Sequence, residues 1–473
     1  MRGRWDVIVV GAGTAGLPTT IFAAQRGARV LLVEQSSRLG GTLHVSWAQM
    51  SAGGTRLQAE RGIADSPDLH FQDVMRISKG TANAELARLA VTEAPRTIDW
   101  LQEQGFDFHP ACPALVYFHE AYSVPRTYWG VEGGRSVLKV LAPLVAAVQE
   151  AGKGEVRYAT RLVDLLQEGD GSVSGVTLVG PDGAAYQELA SNVVLTTGGY
   201  AGNPELFARF TPGYPLMSPA PETSTGTGIV IAEKAGGVIR GGELFLPTFG
   251  GIPDPTAPHR SVPLDDYPVL TPQVRPPWEV YVNPAGCRFV AEDCESIDAR
   301  ERALLQQPDL SFWIIFDERV RREAPPLLPT WSSERVEQAF RAGGAFIRAA
   351  SLPALAQAAG IPAAPLLETI AAYNAACQHG NDPLGRRFFP CPIAEPPFYA
   401  IRNHGTTLKT PAGIAVDTSL RVIRRDGSPI GNLYAAGEIL GGSTLSGNTF
   451  VGGMSVTPAI GFGRLLGERL LEW

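Results

Sequence analysis

Three groups of residues have the types and spacing to do chemistry. The first is Gly11-Ala12-Gly13-Thr14-Ala15-Gly16, followed by Glu34 and by Gly40-Gly41-Thr42. Glycines at the first, third and sixth positions of such a turn allow a tight reversal, backbone approach to a pyrophosphate, and close packing of the helix that follows. An acidic residue about twenty positions later accepts ribose hydroxyls, and as a carboxylate Glu34 disfavours a 2′-phosphate. The second group is aromatic: Phe106, Phe108, Tyr117, Phe118, His119, Tyr122, Tyr128 and Trp129. Tyr122 and Tyr128 are the candidate acid or base, since a phenol can polarise a carbonyl or move a proton. Tyr267 and Tyr281 are weaker alternatives. The third group is cationic. Arg275, Arg386, Arg387 and Arg402 could each grip a carboxylate with two N–H groups, although an ion pair within the protein is the commoner use of each. Among the histidines, His119 and His259 read as loop residues.

The first group needs a strand, a turn, a helix and a second strand to position it. Residues 6–10 are a short apolar β-branched run, the pattern of a strand buried on both faces. Residues 17–26 read as an amphipathic helix ended by Gly27, and 29–33 as a second buried strand that delivers Glu34. Asp65-Ser66-Pro67 reads as a cap and first helical position. Residues 68–104 follow as helix, with Leu86, Leu89, Ala90, Ala94, Ile98 and Leu101 on one face. A further helix is expected over 134–151. Segments 156–158, 161–167 and 173–179 read as three strands of a small added sheet. Residues 190–200 form another buried strand, ending in Thr196-Thr197-Gly198-Gly199, that returns to the nucleotide sheet.

From 212 to 397 the composition shifts: proline is dense between 247 and 277, and helices are expected over 295–307, 317–323, 334–341 and 352–377. This predicts a separate domain. Strand character returns at 415–424 and 432–438, and a last helix is expected over 456–471. The domain plan is therefore 1–211, 212–397 and 398–473, the outer two forming one α/β domain.

At 473 residues the chain is too long for one core. A net charge of −7 without Lys/Arg runs gives no footprint for nucleic acid. The apolar start is too short for a signal peptide, and nothing later reaches membrane length. Five cysteines without CxxC spacing argue against a cluster, a zinc site or a disulfide framework, and for a reducing compartment, the cytoplasm. No metal site is expected.

The acid followed by a second Gly-Gly turn resembles the extension found in flavoproteins with two dinucleotide-binding segments, which points to FAD rather than NAD. Four stretches then match one family: the strand–turn–helix unit, SWAQMSAGGTRLQAERGIADSP, EVYVNPAGCRFVAED, and AVDTSLRVIRRDGSPIGNLYAAGEILGG with FVGGMSVTPAIGFGRLLG. Together they resemble the flavoprotein superfamily of fumarate reductases, succinate dehydrogenases and 3-ketosteroid dehydrogenases, nearest to its ketosteroid and cyclic-ketone branch. The resemblance implies a Rossmann-like FAD-binding domain built from both chain ends, an inserted α+β domain capping the substrate, and redox chemistry at a carbon–carbon bond. It implies that Gly11, Gly13, Thr14, Ala15, Gly16, Glu34, Gln35, Gly41 and Thr42 hold the ADP half, with Val163 near adenine. Ala48, Ser51, Thr197, Gly198, Gly437, Glu438, Gly453, Ser455 and Val456 would lie along the rest of the cofactor. A helix N-terminus at 452–456, aimed at the flavin pyrimidine, would stabilise the reduced anionic form. The family's covalent attachment histidine is matched by Thr42, with His44 two positions away, so FAD is expected to be non-covalent.

Departures from the family decide the expected substrate. The His-Pro-Thr of the dicarboxylate enzymes is Leu246-Pro247-Thr248, the Thr-Glu pair is Thr271-Pro272 with Arg275 kept, and the arginine before the final Gly-Gly is Phe450, preceded by Thr449. The acid-arginine stretch reads Glu295-Ser296-Ile297-Asp298, a second clamp histidine falls near Lys409, and His404, before Gly405-Thr406, lies close to the family's substrate histidine without aligning with it, which makes it a substrate-binding candidate. Leu246 and Phe450 would instead meet an apolar body. The ketosteroid pattern keeps its glycine as Gly453 but has Thr449 and Phe450 where its tyrosines stand. The expectation is an FAD-dependent dehydrogenase that desaturates a cyclic ketone beside its carbonyl, with 4-oxocyclohexanecarboxylate as an example. Its electron acceptor is oxygen, a quinone or an electron-transfer protein. Alternatives are a 3-ketosteroid dehydrogenase, an ene-reductase of an enone or unsaturated acid, or a non-catalytic FAD-binding redox subunit.

Overall fold

The computed structural model describes residues 4–115 and 118–472, so Tyr117 of the aromatic loop lies outside the described residues. The chain divides into two compact units: Met1–Pro212, Ala220–Phe245 and Lys409–Trp473 form the first, and Gly213–Pro219 with Leu246–Leu408 the second.

The first unit is built on a sheet whose main path runs Arg421–Ile423, Pro429–Ala435, Ala185–Leu195, Trp5–Val10, Val30–Val33, Gly154–Arg157. All neighbours on this path are parallel except the first pair. Strands covered on both faces carry continuous β-branched runs, and Val7 to Val10 and Val30 to Val33 are accordingly all buried. Strands Arg161–Gln167 and Val173–Val179 form an antiparallel extension that pairs along the first half of Ala185–Leu195. One expectation is corrected here. Residues 156–158 are not part of that extension, because Gly154–Arg157 pairs in parallel with Val30–Val33 and closes the main sheet. Helices Gly16–Gln25 and Val456–Arg469 pack on each other through Gly463 and Gly467, where an added Cβ would lie 2.3 Å from Ala15 O and 2.7 Å from Ala23 N. The stretch expected as one helix over 68–104 is two, Pro67–Ile77 and Ala84–Glu103, each started by a side-chain cap, Ser66 and Asn83.

The second unit holds a four-stranded antiparallel sheet in the order Val280–Val282, Ser311–Asp317, Phe398–His404, Phe346–Ala349. Alternation along Ser311–Asp317 serves two cores. Phe312, Ile314 and Phe316 pack on one face with Tyr281, Phe340 and Tyr399, while Trp313 and Ile315 meet Leu355, Leu366 and Tyr373 on the other. The expected domain boundaries move for this reason. Phe398–His404 pairs along its whole length with Ser311–Asp317, so the second unit runs to Leu408 rather than 397, and Ala220–Phe245 belongs with the first. Helix 352–377 is also two, Leu352–Ala359 and Ala363–His379, broken at Gly360 with φ +67°. No helix among the described residues is long and apolar enough to cross a membrane.

Candidate functional site

The nucleotide end of the first unit is shaped by what is missing from its glycines. Gly11 has φ +103°, and a Cβ on it would lie 2.5 Å from Thr196 O; one on Gly16 would lie 1.8 Å from Gly11 O. Those two positions exclude a side chain outright, the first for conformation as well as space. Gly13 differs: nothing lies within 4 Å of where its Cβ would be. The second glycine turn closes on this one, since Gly40 N–H donates to Ala12 O at 2.8 Å and a Cβ on Gly41 would be 3.6 Å from Gly13 Cα. Two stretches of bare backbone thus face each other beside the start of helix Gly16–Gln25, which carries no side-chain cap. That is the donor set a pyrophosphate needs.

Glu34 is buried, accepting at one oxygen from Ala12 N–H (2.9 Å) and at the other from Ser36 N–H (2.7 Å), so its carboxylate is fixed against the turn. Gln35 is exposed and donates to Thr223 O. Thr197 Oγ1, beside Gly198, is buried with no hydrogen-bond partner. Gly437, at φ +84°, brings the end of strand Pro429–Ala435 to the same helix start, since a Cβ there would be 3.1 Å from Ala15 Cβ. Glu438 accepts from Thr410 N–H (3.0 Å) and Oγ1 (3.2 Å), and burial pushes its carboxyl up. Val163 sits half-buried in Arg161–Gln167 and Thr42 half-buried in the short helix Gly41–His44. Ala48 holds a positive φ of 48°, a strained conformation for alanine. The open face of Gly13, the paired glycine turns, the positioned Glu34 and the orphaned Thr197 hydroxyl together fit FAD.

Around Gly453 the structure gathers residues from distant parts of the chain. Gly453 has φ +76°, and a Cβ there would be 2.3 Å from Ser51 N. Ser51, fully buried, donates its N–H to Thr457 Oγ1 at 2.8 Å, and its strand pairs with Thr127–Tyr128. Helix Val456–Arg469 begins just beyond, without a side-chain cap at Ser455. Tyr122 donates its hydroxyl to Gly452 O and lies 3.3 Å from Ser51 Oγ. Tyr128 instead shares its hydroxyl with Thr55 Oγ1 at 2.7 Å, within the capping box of helix Arg56–Glu60. Burial pushes both phenols above their ordinary range. Tyr122 is thus brought to Gly453, and the Tyr128 hydroxyl belongs to a helix cap.

Beneath Tyr122 lies a buried ionic cluster that no local motif announces. Arg126, fully buried, donates to Asp65 at 2.9 Å and pairs with Asp73 at 3.3 Å. Asp73 also accepts from Ser123 N–H (2.7 Å) and Oγ (2.6 Å) and from Arg76 (2.7 Å). Burial works against the Asp73 carboxylate, but the Ser123 and Arg76 hydrogen bonds and the Arg126 charge hold its pKa down. The Arg126 guanidinium lies 5.2 Å from the Tyr122 ring, and fully buried His70 meets that ring edge-on at 5.4 Å. Burial, with the Arg126 charge added, pushes His70 down to about 3.

A second cluster lies alongside. The Phe450 ring stacks on His119 with centroids 4.4 Å apart, and Lys409 Nζ lies 4.3 Å from its centre while donating to Ser446 Oγ at 2.8 Å. Burial and the Lys409 charge push His119 down to about 3. Thr449 is buried at the head of this turn. Reading His119 as a plain loop residue missed this contact, because residues 119, 409 and 450 meet only through the fold.

In the second unit three of the four expected carboxylate grips are paired within the protein. Arg275 is buried and paired with both oxygens of Glu279 (2.8 and 3.1 Å), with Nε donating to Pro325 O. Arg386 donates to Glu292, Glu279 O, Pro277 O and Phe388 O. Both guanidinium groups thus link strands and loops of this unit. Arg387 is exposed and pairs with Glu295, and Arg402 is exposed on Phe398–His404. His404 is buried, and burial with the nearby Arg402 charge pushes it down to about 4. Leu246 is buried, and Thr248 and Thr406 share a hydroxyl hydrogen bond at 2.6 Å. Tyr267 pairs with Ser261 at 2.6 Å, Tyr281 packs on Phe312, and His259 is exposed.

Comparison with known proteins agrees with this geometry. The family described as FAD binding domain matches residues 6–456. NADH:fumarate oxidoreductase of Klebsiella pneumoniae (strain 342) is 30% identical over 470 residues, covering 98% of this chain and 47% of that protein. The chain thus spans about half the length of that relative. 3-oxosteroid 1-dehydrogenase of Mycolicibacterium smegmatis is 25% identical over 566 residues, with 98% and 97% covered. The open conformation of a flavocytochrome c3 fumarate reductase superposes with a TM-score of 0.78 at 27% identity, covering 100% of this chain and 78% of that one.

Proposed function

This chain belongs to the FAD binding domain family, and on that premise we propose that it is an FAD-dependent oxidoreductase that desaturates a cyclic ketone beside its carbonyl. When bound, FAD supplies the two-electron centre that takes up or returns hydride at carbon. The chain's own part is to hold, orient and polarise. The two glycine turns would take the pyrophosphate, Glu34 the ribose, and the uncapped start of helix Val456–Arg469 the pyrimidine edge of the flavin. Gly453 would offer the substrate carbonyl its backbone N–H. The His44 ring is engaged by Leu39 O at 2.8 Å, which supports non-covalent FAD.

The observation that carries the substrate reading is the surroundings of Phe450. Where the resembling dicarboxylate enzymes place an arginine, this chain has Phe450, its ring stacked on His119; Arg275, the retained family arginine, is paired with Glu279. A site so furnished favours an apolar body with at most one anionic group. One feature supports the reverse reaction, reduction of an enone or unsaturated acid: the Lys409 ammonium over the face of the same ring. The electron acceptor of the forward reaction would be oxygen, a quinone or an electron-transfer protein.

The test is an anaerobic titration of purified holoenzyme with cyclohexanone, 4-oxocyclohexanecarboxylate, a 3-ketosteroid and succinate, followed by flavin absorbance. Bleaching by a cyclic ketone and not by succinate is expected. Bleaching by succinate alone would overturn the ketone reading, and bleaching by none would exclude desaturation of these compounds.

A further inference from the structure

We propose that His119 donates a hydrogen bond to the carbonyl oxygen of the substrate, doing the work expected of a tyrosine. The inference rests on the reading of the chain as an oxidoreductase of carbon–carbon bonds next to a carbonyl, and it names the group that makes that carbon acidic.

Both candidate tyrosines are already committed. The Tyr122 hydroxyl donates to Gly452 O, and that of Tyr128 is shared with Thr55. His119 is placed by the same pair of loops that presents Gly453. The two loops touch twice, through the Tyr122–Gly452 hydrogen bond and through the stack of His119 on Phe450, so the imidazole is fixed relative to the Gly453 backbone. Its Nδ1 is buried and finds no hydrogen-bond partner. A buried ring nitrogen without a partner costs free energy unless something else satisfies it, and a ligand in this turn is the group that would.

The chemistry suits a neutral imidazole. As the α-proton leaves the ketone, negative charge builds on the carbonyl oxygen, and an N–H already aimed there stabilises it without giving up its proton. No bond to His119 forms or breaks; the ring acts as an electrophile whose hydrogen bond strengthens as the enolate develops. Burial and the nearby Lys409 keep the ring uncharged, and Lys409 adds positive potential close by. The ligand class is therefore an enolisable or conjugated ketone.

The experiment compares holoenzyme with His119, His119→Ala, His119→Phe and His119→Asn. The phenylalanine keeps the stack on Phe450 and loses the donor, whereas the asparagine keeps a neutral N–H. Two readouts are taken: the dissociation constant of cyclohex-2-enone from the flavin difference spectrum of oxidised enzyme, and the anaerobic rate of flavin reduction by cyclohexanone. Flavin content and melting temperature identify any variant that fails to fold. The expected result is enone binding weakened about tenfold in Ala and Phe alike, reduction slowed about a hundredfold or more, and partial recovery in Asn. Unchanged enone affinity in His119→Phe overturns the proposal, as does the absence of enone binding by the unaltered enzyme. Enone binding that depends on residue 119 without any flavin reduction would leave the hydrogen bond standing and overturn the desaturase reading instead. Reduction that proceeds equally in all four would do the reverse.

Discussion

At the nucleotide end of the first unit, the groups proposed to meet the cofactor are mostly backbone: Gly11 and Gly16 are excluded from carrying a side chain, Gly13 faces open space, and the proposed ribose carboxylate, Glu34, is tied to the turn by Ala12 N–H. At the Gly453 end, the working groups are side chains brought in from far along the sequence, and most are consumed by one another. Tyr122 is held by a carbonyl 330 positions away, and Arg126 by two buried carboxylates. The first arrangement recognises a ligand whose shape never changes, so spacing alone encodes it. The second can be refurnished residue by residue while the backbone stays put, which is how one fold serves different substrates.

The comparison breaks most visibly at Gly16. Gly16→Val puts atoms inside the Gly11 carbonyl and is expected to abolish flavin retention, read as the flavin absorbance of the purified protein, whereas Gly13→Ala, with open space around it, should retain folding and weaken binding only. The next largest effect belongs to the other end. Arg126→Met leaves Asp65 buried without its cation and Asp73 with Arg76 alone, and is expected to cost about 3–5 kcal/mol in denaturant unfolding.

Acid should act on the same end. His70 and His119 titrate near 3 in the folded chain against about 6.5 unfolded. Below pH 6.5 the unfolded state takes up their protons first, so stability present above that pH is lost as pH falls toward 3. By pH 5 each histidine should have cost about 2 kcal/mol. In His70→Leu the loss of stability between pH 7 and 5 should shrink by about that amount. The smallest effect is expected at Tyr128: Tyr128→Phe removes one hydrogen bond to Thr55, about 1 kcal/mol of stability, and leaves the rate of flavin reduction within about twofold.

Legibility in the sequence follows the same division. The strand, glycine turn, helix, strand and Glu34 are local, and Gly11 and Gly16 among them are required by backbone geometry that any sequence must satisfy. The two-unit plan was legible from composition, but its boundary was not. Phe398–His404 looks like any strand, and only its pairing with Ser311–Asp317 assigns it to the second unit. Arg275 could not be told from a substrate arginine because its partner Glu279 gives no sign, in sequence, of being turned inward. His119 was undervalued for the converse reason: its significance lies in Phe450 and Lys409, which reach it only through the fold.

The most direct test of the account is stopped-flow reoxidation of the anaerobically reduced holoenzyme by cyclohex-2-enone and, separately, by fumarate. With Phe450 and a neutral His119 in place of a dicarboxylate clamp, the enone should reoxidise the flavin at least about tenfold faster, a difference of roughly 1.4 kcal/mol in the barrier. Faster reoxidation by fumarate would contradict the account, since it would mean that this site grips two carboxylates after all.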